Sequence, residues 1–210
     1  MAAEKQQPLL IFPCNGNAIE ALDCLVAAYR LIGFVDDTPE KQGTKVQGYS
    51  VYGREVLVSW PDSCVLAVPG SPASYRMRKQ IIESLDIGAD RFATVIHPSA
   101  RVSPLAAIGR NVLIMAGAVI TSNAMIGDHV CVLPNTVIHH DVIIGAWSLI
   151  GSNVTVAGHT SVGNNCYIGS GSSIMNGVRV GDGALVGMGA NVIRDVSPGN
   201  RVVGNPARSI

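Results

Sequence analysis

The sequence predicts a small parallel α/β lobe followed by a parallel β-helix built of hexapeptide repeats. Three observations carry this expectation. A β-branched aliphatic residue recurs every six positions from Ile96 to Val192, without slip or insertion. The residue four places after each is narrow, as at Ala100, Ala118, Thr136, Ser148, Ser172 and Ala190. Ahead of Ile96, short apolar runs alternate with segments of helical periodicity.

The repeat excludes a helix, because six residues match neither one turn of about 3.6 residues nor two. β-Branched residues favour the extended chain, and the glycines that often follow them, such as Gly109, Gly127 and Gly145, mark bends. Three hexapeptides close one triangular coil, so residues eighteen apart stack at roughly 4.8 Å, the spacing of paired strands. The aliphatics then line a dry prism and the narrow residues fill its corners.

Residues 1–95 form the expected lobe. Leu9 to Phe12 reads as a buried strand, followed by the turn Pro13-Cys14-Asn15-Gly16-Asn17. Ile19, Leu22, Val26 and Tyr29 share a helical face, with Asn17 as N-cap and Glu20 three residues on. Leu31 to Val35 is a second strand ending in Asp36-Asp37. Residues 38–63 read as irregular, with one short strand near Tyr49 to Tyr52. Val65 to Val68 is a third strand. Ser71-Pro72 opens a helix with Met77, Ile81 and Leu85 on one face, and Phe92 to Ile96 leads into the first coil. This alternation is Rossmann-like, and it puts a ligand at the strands' carboxyl ends, Pro13 to Asn17, Asp36-Asp37 and Pro69-Gly70. The lone Gly16 is not a dinucleotide fingerprint.

Charge is balanced, with 15 basic and 15 acidic residues, so nucleic acid is not an expected partner. The apolar runs are too short to span a bilayer, and Met1 to Pro8 carries no signal-peptide pattern. Five irregularly spaced cysteines suggest free thiols and a cytoplasmic setting.

The stacking rule builds one polar column, Asn123, Asp141 and His159, with His140 beside it. A carboxylate bonded to imidazole fixes its tautomer and raises its basicity. His97 reads as structural and His129 as a solvated surface residue. His140 and His159, offset by nineteen, and the lack of a well-placed third histidine argue against a zinc site.

The repeat resembles the hexapeptide-repeat acyltransferases, which implies a left-handed β-helix and a homotrimer with sites between subunits. The strand, glycine turn and helix, then Gly33-Phe34-Val35-Asp36-Asp37, narrow the resemblance to bacterial N-acetyltransferases of nucleotide-linked amino sugars. In that family the lobe holds the nucleotide sugar, which implies substrate-binding roles for Asn17, Asp36 and Asp37. Asn17 stands where a histidine is usual. The run Ile138-His139-His140-Asp141 resembles the family's catalytic stretch, so His140 matches the general base and Asp141 becomes its orienter. His139 stands where an acidic residue is usual. Asn123, His139 and His159 are its substrate-side neighbours, and the Gly158 N–H is the oxyanion donor. The ending Gly204-Asn205-Pro206-Ala207-Arg208 looks like the family's closing segment along the acetyl-CoA groove, over 196–210. It implies cofactor contacts at Arg208, and the small Ser170, Gly187 and Gly189 leave room for pantetheine.

The expected activity is acetyl transfer from acetyl-CoA to a nucleotide-linked amino sugar, a 4-amino-4,6-dideoxyhexose, in surface glycan synthesis such as lipopolysaccharide O-antigen. An O-acetyltransferase, a zinc hydratase and a non-catalytic scaffold of the same fold are the alternatives.

Overall fold

The computed structural model describes residues 6–25 and 28–210. In the lobe, strands β1 (Gln7–Phe12), β2 (Tyr29–Val35), β3 (Lys45–Val46), β4 (Tyr49–Tyr52) and β5 (Cys64–Ala67) form one sheet in the order β3-β4-β2-β1-β5. Every pairing in it is parallel except the β3–β4 hairpin. Its buried strand centres, Leu9 to Ile11 and Val65 to Ala67, are apolar on both faces, as a covered parallel sheet requires.

The lobe differs from expectation in its helices. Helix α1 is short (Gly16–Glu20) and continues as a 3₁₀ turn over Ala21–Cys24. Asn15, not Asn17, caps it, its side-chain oxygen accepting the Ala18 N–H at 2.9 Å. Tyr29 lies in β2, and Val26 falls outside the described residues. The stretch 38–63 is more ordered than it reads, because it holds the hairpin and helix α2 (Glu55–Ser59). Helix α3 (Arg78–Glu83) begins after a 3₁₀ turn at Tyr75–Met77, and it buries Arg78 and Ile82 while Met77 is exposed. The expected strand over 92–96 is divided: Phe92 bridges to Val65, and only Val95–Ile96 joins the coils.

The β-helix follows the eighteen-residue register as far as Val192, after which the offset falls to sixteen, with Val180 bridged to Val196 and Val186 paired with Val202. Ile120 pairs with Ile138, Ile138 with Val156, and Val156 with Ile174, and the other two faces repeat the pattern. Each coil gives one two-residue strand to each of three parallel faces. The repeat aliphatics from Ile114 to Val192 are buried and form one continuous core.

The three faces are not equivalent. On one, the outward residues Leu113, Cys131, Leu149, Tyr167 and Leu185 are buried against lobe residues such as Leu9, Ile11 and Phe34. The lobe is therefore seated on this face. The chain then crosses the second face (Val119–Ile120, Val137–Ile138, Thr155–Val156) and the third (Met125–Ile126, Ile143–Ile144, Ser161–Val162) before it returns. The edge between second and third faces thus lies opposite the lobe.

Polar groups pin the lobe to the prism. The buried Asn111 side chain pairs with both backbone groups of Ala67, accepting its N–H at 2.7 Å and donating to its carbonyl at 2.9 Å. Arg78, fully buried, donates to the carbonyls of Pro69, Trp147 and His129. His129 is not the solvated residue its position suggested. Its ring stacks on Trp147 at 5.8 Å, meets Phe92 edge-on at 4.9 Å, and lies 3.0 Å from Asn111 through Nδ1.

Burial pushes the His129 pKa below its ordinary value, with Arg78 acting the same way against Asp128 and Glu83. The unfolded chain therefore binds this proton first. The stability His129 allows is complete above an unfolded pKa of about 6.5, and it declines as pH drops through that value towards the folded one. The melting temperature should fall between about pH 7.5 and 5.5, and less so in His129→Gln; equal slopes for both proteins would remove the role.

Candidate functional site

Two polar sites stand out, a cleft in the lobe and an exposed side-chain cluster on the far edge of the prism. The edge site is built by corner geometry. Asn123, Asp141 and His159 adopt φ of 59°, 58° and 60°. This left-handed conformation suits Asn, Asp and His better than bulkier residues. The corner then stacks them: Asn123 Nδ2 donates to Asp141 Oδ1 at 3.1 Å, and the His159 N–H donates to the His140 carbonyl at 3.1 Å.

His140 Nδ1 lies 2.8 Å from Asp141 Oδ2, while His159 Nδ1 is 3.9 Å from the same oxygen. With Nδ1–H donating to the carboxylate, the lone pair of His140 resides on Nε2. The His140 bond, followed by the Asn123 bond, holds the Asp141 carboxyl below the usual range, so it stays ionised at neutral pH. The two imidazoles meet edge-on with centroids 5.0 Å apart. The offset of nineteen, read in the sequence as an argument against a zinc site, does not part the two rings. The corner ladder brings them together, because each third corner residue bonds to the second residue of the coil before.

Gly158 lies beneath the His140 ring. A Cβ there would come within 2.7 Å of both Nε2 and Cε1, so only glycine admits the imidazole. Its carbonyl accepts the Gly177 N–H, while its own N–H meets no acceptor among the described residues. His139, half-buried, shares the ladder through its N–H to Val156. The ligand atoms of His140, Asp141 and His159 lie within 4.8 Å of one another, a spacing open to a cation as well as a proton.

The lobe cleft, about 570 Å³, lies at the carboxyl ends of β1, β2 and β5, where a ligand was expected. Asn17, Asp36 and Asp37 all line it. They are not alike. Asp36 is buried, and its oxygens already accept from Thr38 N–H at 2.9 Å, Cys14 N–H at 3.0 Å and Lys41 Nζ at 2.9 Å. Burial alone would raise its pKa, but the Lys41 and Thr38 bonds outweigh it and leave the carboxyl below the usual range. Asp36 thus braces the loop. Asp37 is half-exposed and gripped by Arg54 through Nε at 2.6 Å and Nη2 at 2.7 Å. Lys41 and Arg54, two cations at the cleft wall, escaped the sequence reading because they sit in the stretch taken as irregular.

Ser170, Gly187 and Gly189 lie on another edge, between the lobe face and the second face. Ser170 Oγ accepts the Ser152 N–H at 3.1 Å, and Gly189 opens to free space. Gly187 has a packing reason, since a Cβ there would strike Val203 Cγ1 at 2.7 Å. The tail crosses this edge: Ala207 N–H donates to Asn191, and Arg208 lies in a strand antiparallel to Arg201–Val203. No helix among the described residues is long and apolar enough to cross a membrane.

A family model, bacterial transferase hexapeptide (six repeats), matches residues 105–139, 123–158 and 159–194. A UDP-N-acetylbacillosamine N-acetyltransferase of Bacillus subtilis (strain 168) is 46% identical over 56 residues, which cover 27% of this chain and 24% of that protein. The match therefore spans about a quarter of this relative's length. The acetyltransferase domain of PglB from Neisseria gonorrhoeae FA1090 superposes with a TM-score of 0.86 at 28% identity, over 98% of this chain and 100% of that one. PerB from Caulobacter crescentus, solved in complex with CoA and GDP-perosamine, superposes at 0.85 with 27% identity, over 97% of each chain. WeeI from Acinetobacter baumannii AYE, at 23% identity and a TM-score of 0.83, shares the fold. The chain thus carries the bacterial transferase hexapeptide repeat over 105–194, and nearly its whole length, lobe and prism together, is similar to the acetyltransferase domain of PglB and to PerB.

Proposed function

We propose that the protein transfers the acetyl group of acetyl-CoA to the amine of a nucleotide-linked amino sugar, a 4-amino-4,6-dideoxyhexose. The observation that carries this is the pairing of His140 with Asp141 over Gly158, which leaves Nε2 as an exposed base. In support, PerB was solved with CoA and a GDP-linked sugar, and the Bacillus relative is named for a UDP-linked one.

A sugar amine is mostly protonated at neutral pH and inert in that form. As the neutral amine attacks the thioester carbonyl, His140 Nε2 takes its proton. The Gly158 N–H stabilises the oxyanion of the tetrahedral intermediate. Collapse breaks the C–S bond, and the imidazolium returns its proton to the departing thiolate. Amide and free CoA result, with no protein nucleophile. Asp141 holds the tautomer, and Asn123, His159 and His139 orient the sugar. Asp141→Asn should lower kcat about 10–100-fold with little change in the melting temperature; wild-type kcat would exclude the orienting role.

Asn17 and Asp37 contact the nucleotide sugar in the lobe cleft, with Lys41 and Arg54 beside its phosphates. Asp36 serves the same site as a brace. Residues 1–95 are thus the acceptor lobe, 96–195 the acyltransferase prism, and 196–210 the tail of the CoA groove, where Ser170, Gly187, Gly189 and Arg208 lie. Because the catalytic edge faces away from the lobe, one copy cannot bring both to a single sugar. A head-to-tail ring joins the catalytic edge of one subunit to the lobe and tail-side edge of the next. The assembly is a homotrimer, acting in the cytoplasm in the synthesis of surface glycans such as lipopolysaccharide O-antigen.

The test is a panel of UDP-, GDP- and dTDP-linked amino sugars with acetyl-CoA, followed by thiol release and product mass. Thiol release with one amino sugar, and a product heavier by one acetyl on nitrogen, is expected. No turnover across the panel, or acetylation on oxygen, would overturn it.

A further inference from the structure

We infer that the corner formed by His140, Asp141 and His159 binds a divalent transition metal of the zinc type, and that the bound ion silences His140 by moving its ring proton from Nδ1 to Nε2. The inference rests on the general-base reading above and adds a regulatory ligand to that same site, an inhibitor and not a cofactor. Among the described residues no other three histidine, cysteine or acidic side chains converge so closely: one ligand atom from each of these lies within 4.8 Å of the others. Asp141 Oδ2 is the centre of the set, with His140 Nδ1 at 2.8 Å and His159 Nδ1 at 3.9 Å. In a tetrahedral zinc site with bonds of about 2.0–2.1 Å, ligand atoms stand roughly 3.4 Å apart, so each separation is within about 0.6 Å of the one required. All three side chains are partly exposed, which leaves them room for that adjustment and open to the ion.

The surroundings support the set. Asn123 Nδ2 ties down Asp141 Oδ1 at 3.1 Å and leaves Oδ2 to the ion, the outer bond that orients a metal-bound carboxylate. The His159 N–H, bonded to the His140 carbonyl, fixes the two coils that carry the imidazoles. Two imidazole nitrogens and one carboxylate oxygen are a donor set that zinc takes, with a fourth position left to water. An imidazole ligates through the lone pair of one nitrogen. Once Nδ1 gives its lone pair to the ion, its proton is lost to water and another is taken up at Nε2, so the ring stays neutral. Nε2 then has no lone pair for the amine proton, and the base is gone while the fold is intact.

The experiment uses the full-length protein freed of metal by a chelator, with Zn²⁺ alone as the probe. Calorimetry should give one Zn²⁺ per subunit for the wild type. Asn123→Gly should bind about 10–100-fold more weakly, the cost of an outer-shell partner, and His159→Asn more weakly still. Both replacements tolerate the left-handed corner, so the melting temperatures of the metal-free proteins should match. Nitrogen-15 NMR of the imidazoles reads the tautomer: Zn²⁺ should move the His140 proton to Nε2, and a chelator should return it to Nδ1. With Co²⁺ in place of zinc, visible bands are expected without the near-ultraviolet absorption of a thiolate ligand. Equal Zn²⁺ affinity in wild type and His159→Asn, thiolate absorption, or a His140 proton that stays on Nδ1 would overturn the inference. None of these readouts needs an acceptor sugar. A protein that binds Zn²⁺ in this way but acetylates no nucleotide sugar would lose the acetyltransferase reading alone, and one that acetylates but binds no Zn²⁺ would lose this inference alone.

Discussion

His140→Ala should lower kcat by about 10²–10⁴-fold, the range for loss of a positioned general base. That corresponds to roughly 2.7–5.5 kcal/mol of transition-state stabilisation. The variant should keep its fold, because the His140 side chain is 48% exposed and its contacts are with Asp141, His159 and Gly158 at the prism surface. Affinity for CoA and for the nucleotide sugar should change little, since the imidazole acts on a proton that moves only in the chemical step. Steady-state thiol release with each substrate saturating measures this directly. A kcat within a few-fold of wild type would transfer the base to His159, the other imidazole within reach of Asp141, and His159→Ala would then carry the loss.

Arg78→Met should produce the largest change in stability. The guanidinium is fully buried and donates to the carbonyls of Pro69, Trp147 and His129, which belong to the lobe and to two successive coils. Methionine fills similar volume but leaves these acceptors without donors, at about 1–3 kcal/mol for each that stays dry. A total near 3 kcal/mol lowers the melting temperature of a chain this size by roughly 10 °C. Pro69 and Gly70 also line the lobe cleft, so the KM for the sugar nucleotide should rise as well. Differential scanning calorimetry reads the first effect and steady-state kinetics the second. An unchanged melting temperature would mean that water replaces the guanidinium without cost.

The prism was legible because its rule is local: each β-branched aliphatic from Ile96 to Val192 states its own position, and eighteen residues later the rule repeats. The column Asn123–Asp141–His159 followed from the same count. The seat of the lobe was legible too, but went unread. The residue before every third inward aliphatic is uncharged and mostly apolar, at Leu113, Cys131, Leu149, Tyr167 and Leu185. The lobe's helices were read less well, because their ends are decided by tertiary contacts rather than by propensity. Asn15 caps α1 while its Nδ2 also donates to the Val68 carbonyl, a partner 53 residues away that no local pattern announces. His129 reads as a surface corner in sequence, and only the seating of Phe92 against it makes it interior. Lys41 and Arg54 lacked a motif altogether, and their relevance comes from the hairpin and α2 carrying them back to Asp36 and Asp37.

The eighteen-residue register has a consequence for how such a chain changes length. Removing one whole circuit, for example 162–179, would bring Gly181 where Gly163 had been and keep every aliphatic pointing inward. Losing one residue more or fewer would turn the remaining circuits inside out. Growth and shrinkage of the prism are therefore quantised, and each quantum adds or removes one rung of core on all three faces at once. A descendant that gained a rung beyond His159 would keep its fold and leave the corner of Asn123, Asp141 and His159 untouched.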